Sequence, residues 1–341
     1  MDIEFHYWVT GIVAHEAGFT EDEARTIAYS SQYVDDNDIS YEVIEEEGKK
    51  PYCNFISQTM NILKPKEQLM RIYPIFHFVP GDPLYRPARR RDGKMHVLVT
   101  TPNNKFVNAQ MDEALKAPHD VLLYRIGIAS HAYVDSWAHQ NFVGWRESFN
   151  TLSVDPIPFI CHMDALHHPD WNGHRWEDSR LVEGNINNNH RFLSAAKNLF
   201  HIYRNFLASQ QRFGDNYRPE WEGLEGKLVT AVGDAASGAV NKGKEARIER
   251  YRKLASWLPE YSEKTWFDDA VLRKTRGLKD SHEGLISAIT IFKDEHYWRT
   301  DKDKKTTDWY KFQKAVKQHE RYSLELLSPL YEQLGIVLSK V

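Results

Sequence analysis

Apolar positions recur at helical spacing along most of the chain. Ile3, Trp8, Ile12 and Val13 predict a helix over residues 2–17, which Gly18 ends. Thr20 and Glu23 form a capping-box pattern at the head of a second helix reaching about Val34, where Asp35-Asp36-Asn37-Asp38 breaks it. Residues 39–65 lack a clear period and read as extended or loop-like, and 66–73 read as a short helix stopped by Pro74. The proline-rich stretch 80–104, with its Arg89-Arg90-Arg91 run, reads as a surface loop. Helices are expected over 105–116 and 119–140, irregular structure over 150–178, and a long helix over 186–211. Beyond that, helical periodicity dominates at 220–236, 243–256, 280–293 and 308–339. No strand alternation is long enough to suggest a large sheet. The expectation is a mainly α fold: a metal-binding helical core over 1–211 with a helical extension over 212–341 packed on it, or a single domain.

Composition narrows the function classes. The chain has 341 residues and a formal charge of −4, which disfavours a dedicated duplex-DNA binder. No run of about 18 apolar residues predicts a membrane span. Asp2 and the absence of a basic stretch before an apolar run argue against a secretory leader, so a cytoplasmic location is expected. Two cysteines, Cys53 and Cys161, exclude a disulfide framework. What stands out is 16 His, most of them before residue 191.

The densest chemistry lies in GIASHAYVDSWAHQNF, residues 127–142. His131, Asp135 and His139 are spaced i, i+4, i+8, which stacks them on one helical face. Imidazole and carboxylate suit zinc and similar ions. Gly127, Ala129, Ser130, Ala132 and Ala138 leave room for another backbone, while Ile126, Ile128, Val134 and Trp137 point to burial, where His and Asp need partners. Other candidates are His6 on the first helix, Asp35 (or Asp36) at the end of the second, and His77 among Ile75, Phe76, Phe78 and Val79. CHMDALHHPDW, residues 161–171, adds His162, Asp164, His167 and His168, among which loop spacing cannot choose. His15 lies on the opposite face from His6 and reads as structural. The His119-Asp120 doublet is similar to that of HD phosphohydrolases, but capping and the helix dipole explain Asp120. There is no nucleophile elbow, phosphate-binding loop, GxGxxG or HExxH.

In this order, the motifs resemble the helical superfamily of zinc-dependent phospholipases C and single-strand-specific nucleases. The resemblance runs over residues 1–170: FHYWVTGIVA with His6, Tyr33-Val34-Asp35, His77-Phe78-Val79, then Gly127, His131, Asp135, His139, Asn141 and Phe142, and finally His162. It implies two or three zinc ions held by His6, Asp35, His77, His131, Asp135, His139 and His162. Asp135 would bridge ions and Asp35 would double as ligand and base, acting on phosphate esters or diesters of phospholipid or nucleotide type. Departures from the pattern are the shorter step from Asp135 to His139, Leu166 where the family carries a carboxylate (with Asp164 or His167 as substitutes), and Met1 where secreted members present a metal-binding N-terminal Trp. The alternatives are a non-catalytic metal-binding helical protein, or an interaction module in which the His-rich loop is structural.

Overall fold

The computed structural model describes residues 1–45, 50–59, 70–152, 159–213, 219–276 and 293–338. The chain opens with a π-helical turn, Glu4–Val9, that runs into α1 (Thr10–Ala17), closed by Gly18 at φ 115°. The capping box at Thr20 and Glu23 forms in full and launches α2 (Glu21–Asp36). Then come β1 (Glu42–Ile44), β2 (Tyr52–Cys53), a second π-helical turn (Tyr73–His77), α3 (Lys105–Ala114) and α4 (Leu122–Ala138). Two short strands, β3 (Arg146–Glu147) and β4 (Phe159–Ile160), precede β5 (His174–Glu177), β6 (Asn185–Asn187) and α5 (Asn188–Ser209). The C-terminal part contributes α6 (Trp221–Val232), β7 (Ala236–Ser237), α7 (Lys244–Leu254), α8 (Thr265–Ala270), β8 (Val271–Arg276), β9 (Lys293–Trp298) and α9 (Asp308–Glu332).

The mainly α expectation is corrected: about 52% of the structure is helical and 11% is strand, arranged as a mixed α/β fold. One sheet has the order β2-β1-β9-β8, with β1 parallel to β9 and an antiparallel β8–β9 hairpin pairing Val271 with Trp298. A second has the order β6-β5-β7, with β5 antiparallel to β6 and parallel to β7. β3 and β4 form a separate ribbon. These strands were hidden because they lack alternation. VLRKTR and KDEHYW are charged at most positions, and β8 is exposed from Leu272 to Thr275. The helix expected at 280–293 lies outside the described residues up to 292, and Lys293 begins β9. Residues 66–69 also lie outside them. Pro74 does not stop a helix. It occupies the first turn of Tyr73–His77, where its missing N–H costs no hydrogen bond.

One apolar core runs from Met1 to Leu338 and takes residues from both expected units, including Trp8, Phe76, Trp221 and Trp309. α4 lies at its centre, buried from Tyr124 to Ala138. At Gly127 α2 and α4 approach closely: a Cβ there would meet Ser30 Cβ at 2.4 Å and the Ile27 carbonyl at 2.6 Å. That approach sets Asp35 of α2 beside His131 of α4. The N-terminal turn is anchored by Glu4, fully buried and paired through both oxygens with Arg247 of α7 at 2.7 and 2.8 Å. Gly127→Ala is expected to force these helices apart and destabilise the fold by about 1–3 kcal/mol, the usual range for overpacking. Denaturant unfolding measures this, and unchanged stability would show that α2 can shift freely.

Candidate metal centre

Two π-helical turns, the end of α2, the last two turns of α4 and the loop 161–171 converge on one cluster. π-Turns often occur at functional sites because the extra residue re-aims side chains. Here one carries His6 and the other His77. The Asp135 carboxylate, 1% exposed, is the hub. Its Oδ1 lies 3.1 Å from His6 Nε2 and contacts the Met1 amine. Its Oδ2 lies 3.2 Å from His131 Nε2, 3.4 Å from His77 Nδ1 and 3.5 Å from His139 Nδ1. Asp35 stands on the other side, 3.7 Å from His131 Nε2, 3.8 Å from His77 Nδ1 and 4.0 Å from His6 Nε2.

A third carboxylate, Asp170, completes the outer end. Its carboxylate lies 3.1 Å from His139 Nε2 and 3.2 Å from His162 Nε2, and the Met1 amine lies 3.4 Å away. The donor atoms form three groups able to hold a metal ion: His6, Asp35 and His131; His77, His131 and Asp135; His139, His162 and Asp170. Ligands sharing an ion at about 2.0–2.2 Å in a tetrahedral arrangement lie roughly 3.3–3.6 Å apart, close to most separations in the cluster.

The hydrogen bonds around the cluster fix how the imidazoles face it. His131 Nδ1 bonds the Ser31 carbonyl (2.8 Å), His77 Nε2 the Ser57 carbonyl (3.0 Å), His139 Nδ1 the His77 carbonyl (2.8 Å) and His162 Nδ1 the Leu166 carbonyl (2.7 Å). A carbonyl only accepts, so each outer nitrogen carries the proton. In the neutral ring the inner nitrogen is then left with a lone pair, the tautomer of a metal-ligating histidine. His131 Nε2 and His77 Nδ1 face each other at 3.0 Å. Two lone pairs at that distance repel, so a proton or a cation must lie between them. His6 is fully buried and neither of its ring nitrogens makes a hydrogen bond.

The electrostatics follow from this crowding. Burial pushes the Asp135 carboxyl up, but His139, the Met1 ammonium, His131 and His6 outweigh it and hold the group well below the usual carboxylate range. Asp170 is held low in the same way by His162 and the Met1 ammonium. Burial raises Asp35. Burial also lowers His6, His77 and His162, the last to about 4. His131 is raised instead, because Asp135 and Asp35 outweigh its burial. Burial works against the charge on the Met1 amine, yet Asp135, Asp170 and Asp35 lift it to about 10.

The structure thus brings together His6, Asp35, His77, His131, Asp135, His139 and His162. His139 lies one residue beyond α4, as its C-cap, with its N–H on the Asp135 carbonyl. Asp36 and Asp164 point elsewhere: Asp36 accepts from Tyr261 Oη at 2.6 Å, and Asp164 from the Leu152 N–H at 2.6 Å. His167 is mostly exposed, with Nδ1 3.8 Å from Asp170, and His168 pairs with His174 at 2.8 Å. His119 is exposed and Asp120 bonds Lys314, so that doublet belongs to the surface. Sequence reasoning missed Asp170. Its carboxylate arrives through a loop whose turns, including Ala165 N–H to the His162 carbonyl and Asp170 N–H to the His167 carbonyl, have no periodicity to read.

The cluster opens into a cleft of about 520 Å³ lined by Asp35, Gln58, Tyr73, Phe78, His162 and Trp171 among others. Fold and site together define a mixed α/β protein with a buried His/Asp constellation suited to metal ions. The chain belongs to DUF6765, a family of unknown function, whose model matches residues 1–327. No curated protein and no solved structure matches it. Chelator-stripped protein dialysed against zinc is expected to take up about two ions per chain by elemental analysis. Asp170→Asn should weaken uptake by about tenfold or more, comparable with losing a conserved partner of a metal site, whereas Asp164→Asn should not. Absence of stoichiometric uptake by the wild-type chain would exclude a metal centre.

Proposed function

We propose that this protein is a metal-dependent hydrolase of phosphate esters or diesters, with zinc the favoured ion. The observation that carries the proposal is the orientation of the imidazoles: four donate their outer N–H to backbone carbonyls and turn a lone pair toward three carboxylates. The donor set of nitrogen and carboxylate oxygen suits zinc. The resemblance of the motif order to zinc-dependent phospholipases C and single-strand-specific nucleases supports phosphoesters as the substrate class.

His6, His77, His131, His139, His162, Asp35, Asp135 and Asp170 would hold the ions. When bound, divalent ions supply Lewis acidity, polarising a phosphoryl oxygen and acidifying water near neutral pH. The chain's own groups do the rest. Asp135 is sealed from solvent and serves as a fixed acceptor. Asp35 is 27% exposed and lines the cleft, so it is the carboxylate able to take a proton from entering water. Phe78 stacks on His139 with ring centroids 4.1 Å apart, holding that ring in place. Gln58 and Thr59 offer polar contacts on one wall of the cleft, and Tyr73 and Trp171 offer apolar surface for the rest of a substrate.

Metal-loaded protein is expected to cleave an activated phosphodiester or phosphomonoester, and a chelator should abolish the activity. Asp135→Asn should lower kcat by on the order of 100-fold or more, the scale of losing a principal electrostatic contributor. His119→Ala, on the surface, should leave turnover unchanged. Loaded protein inactive across nucleotide, phospholipid and synthetic phosphoester panels would favour the non-catalytic metal-binding reading. Full activity in Asp135→Asn would remove the cluster from the reaction.

A further inference from the structure

Five arginines are buried among the described residues. Four of them are paired with carboxylates: Arg71 with Glu320 at 2.9 Å, Arg90 with Asp92 at 2.9 Å, Arg180 with Asp178 at 2.6 Å and Arg247 with Glu4 at 2.7 Å. Arg125, in the first turn of α4 and 4% exposed, is the exception. Among the described residues it makes no hydrogen bond and no ion pair. A guanidinium keeps its proton at neutral pH. Arg125 is therefore a charge taken out of water without a partner, an arrangement proteins avoid.

Its Nε and Nη2 are sealed, while Nη1 is open to a pocket of about 310 Å³ between the end of α3, the start of α4 and the middle of α9. The guanidinium is one delocalised charge, so an anion at Nη1 answers the whole group. Four other charged residues line the pocket: Glu113 and Lys116 at the end of α3, and Arg321 and Glu325 on α9. Each of these carboxylates has a cation one turn away to offset it, which leaves the charge of Arg125 in excess. We propose that this pocket binds a small organic monocarboxylate, its head on Arg125 and its carbon skeleton against Pro118 and Tyr322. A monoanion matches the single excess charge, and a planar carboxylate suits a guanidinium. A phosphate dianion brings a second negative charge against Glu113 and Glu325. The volume is that of a small-molecule site, roughly 300–1,000 Å³. At a rise of 1.5 Å per residue, Arg125 stands about 15 Å along α4 from Asp135. The site is thus separate from the metal centre, and the proposal is independent of the phosphoesterase reading.

The test is isothermal titration calorimetry of the full chain with hexanoate, hexanol and inorganic phosphate. Hexanoate is expected to bind, with hexanol and phosphate each weaker by about tenfold or more. Arg125→Met removes the charge and should weaken hexanoate by about thirtyfold or more, the scale of truncating one partner of a buried charge pair. Glu325→Gln, exposed on α9, raises the excess charge and should tighten hexanoate by about twofold to fivefold, the scale of one exposed charge. The Glu325→Gln result decides the matter if Arg125→Met fails to fold. The proposal is overturned if hexanoate does not bind, if hexanol or phosphate binds as tightly, or if either folded variant binds hexanoate as the wild type does.

Discussion

Asp135 is a buried carboxylate in contact with four imidazoles and an amine, and most of the surrounding architecture follows from keeping it there. An uncompensated charge at that depth costs several kcal/mol, and burial becomes tolerable only when further hydrogen bonds and opposite charges satisfy it. α4 supplies His131 one turn before Asp135 and His139 just past its own end, and two π-turns present His6 and His77, while α2 brings a second carboxylate, Asp35, across the Gly127 contact. The three carboxylates Asp35, Asp135 and Asp170 form an acidic nest lined by lone pairs. Two divalent cations would answer those charges more evenly than protons shared among imidazoles.

Rigidity comes from outside the cluster. The carbonyls of Ser31, Ser57, His77 and Leu166 orient four rings, so the backbone of α2, of the segment after β2, of a π-turn and of the 161–171 loop all act as supports. The Glu4–Arg247 pair ties the His6 turn to α7, far along the chain. Behind the His77 turn, Gln110 donates to the Ile75 carbonyl and to Ser323 of α9, and Arg71 pairs with Glu320. The C-terminal helices therefore hold the geometry of the centre while contributing none of its candidate ligands.

How much of this can be read from the chain depends on how each contact is made. Thr20 and Glu23 announce the start of α2, because a capping box is a local exchange of two hydrogen bonds. His131 and Asp135 announce a shared face, because helical periodicity is itself a spatial statement. His6, Asp35, His77 and His162 are candidates from their local context, the resemblance in motif order selects them over Asp36 and Asp164, and all four lie at the same cluster.

Other features depend on partners distant in sequence. β1 and β9 pair in parallel across some 250 residues, and β8 and β9 are too charged to show a strand pattern, so only pairing makes them strands. Pro74 reads as a helix stop, yet packing in the core carries the turn through to His77. Asp36 and Asp35 are equivalent neighbours in the chain until the rotation of α2 sends one to Tyr261 and the other to His131 and His77. Asp170 could not be told from Asp164 because a loop has no period. The sequence by itself determined the helical face of α4, the caps and the supply of metal-type ligands, since those rest on local geometry and composition. The tertiary structure alone decided the sheets, the continuation past Pro74 and which carboxylates face the centre, since those depend on long-range pairing and packing.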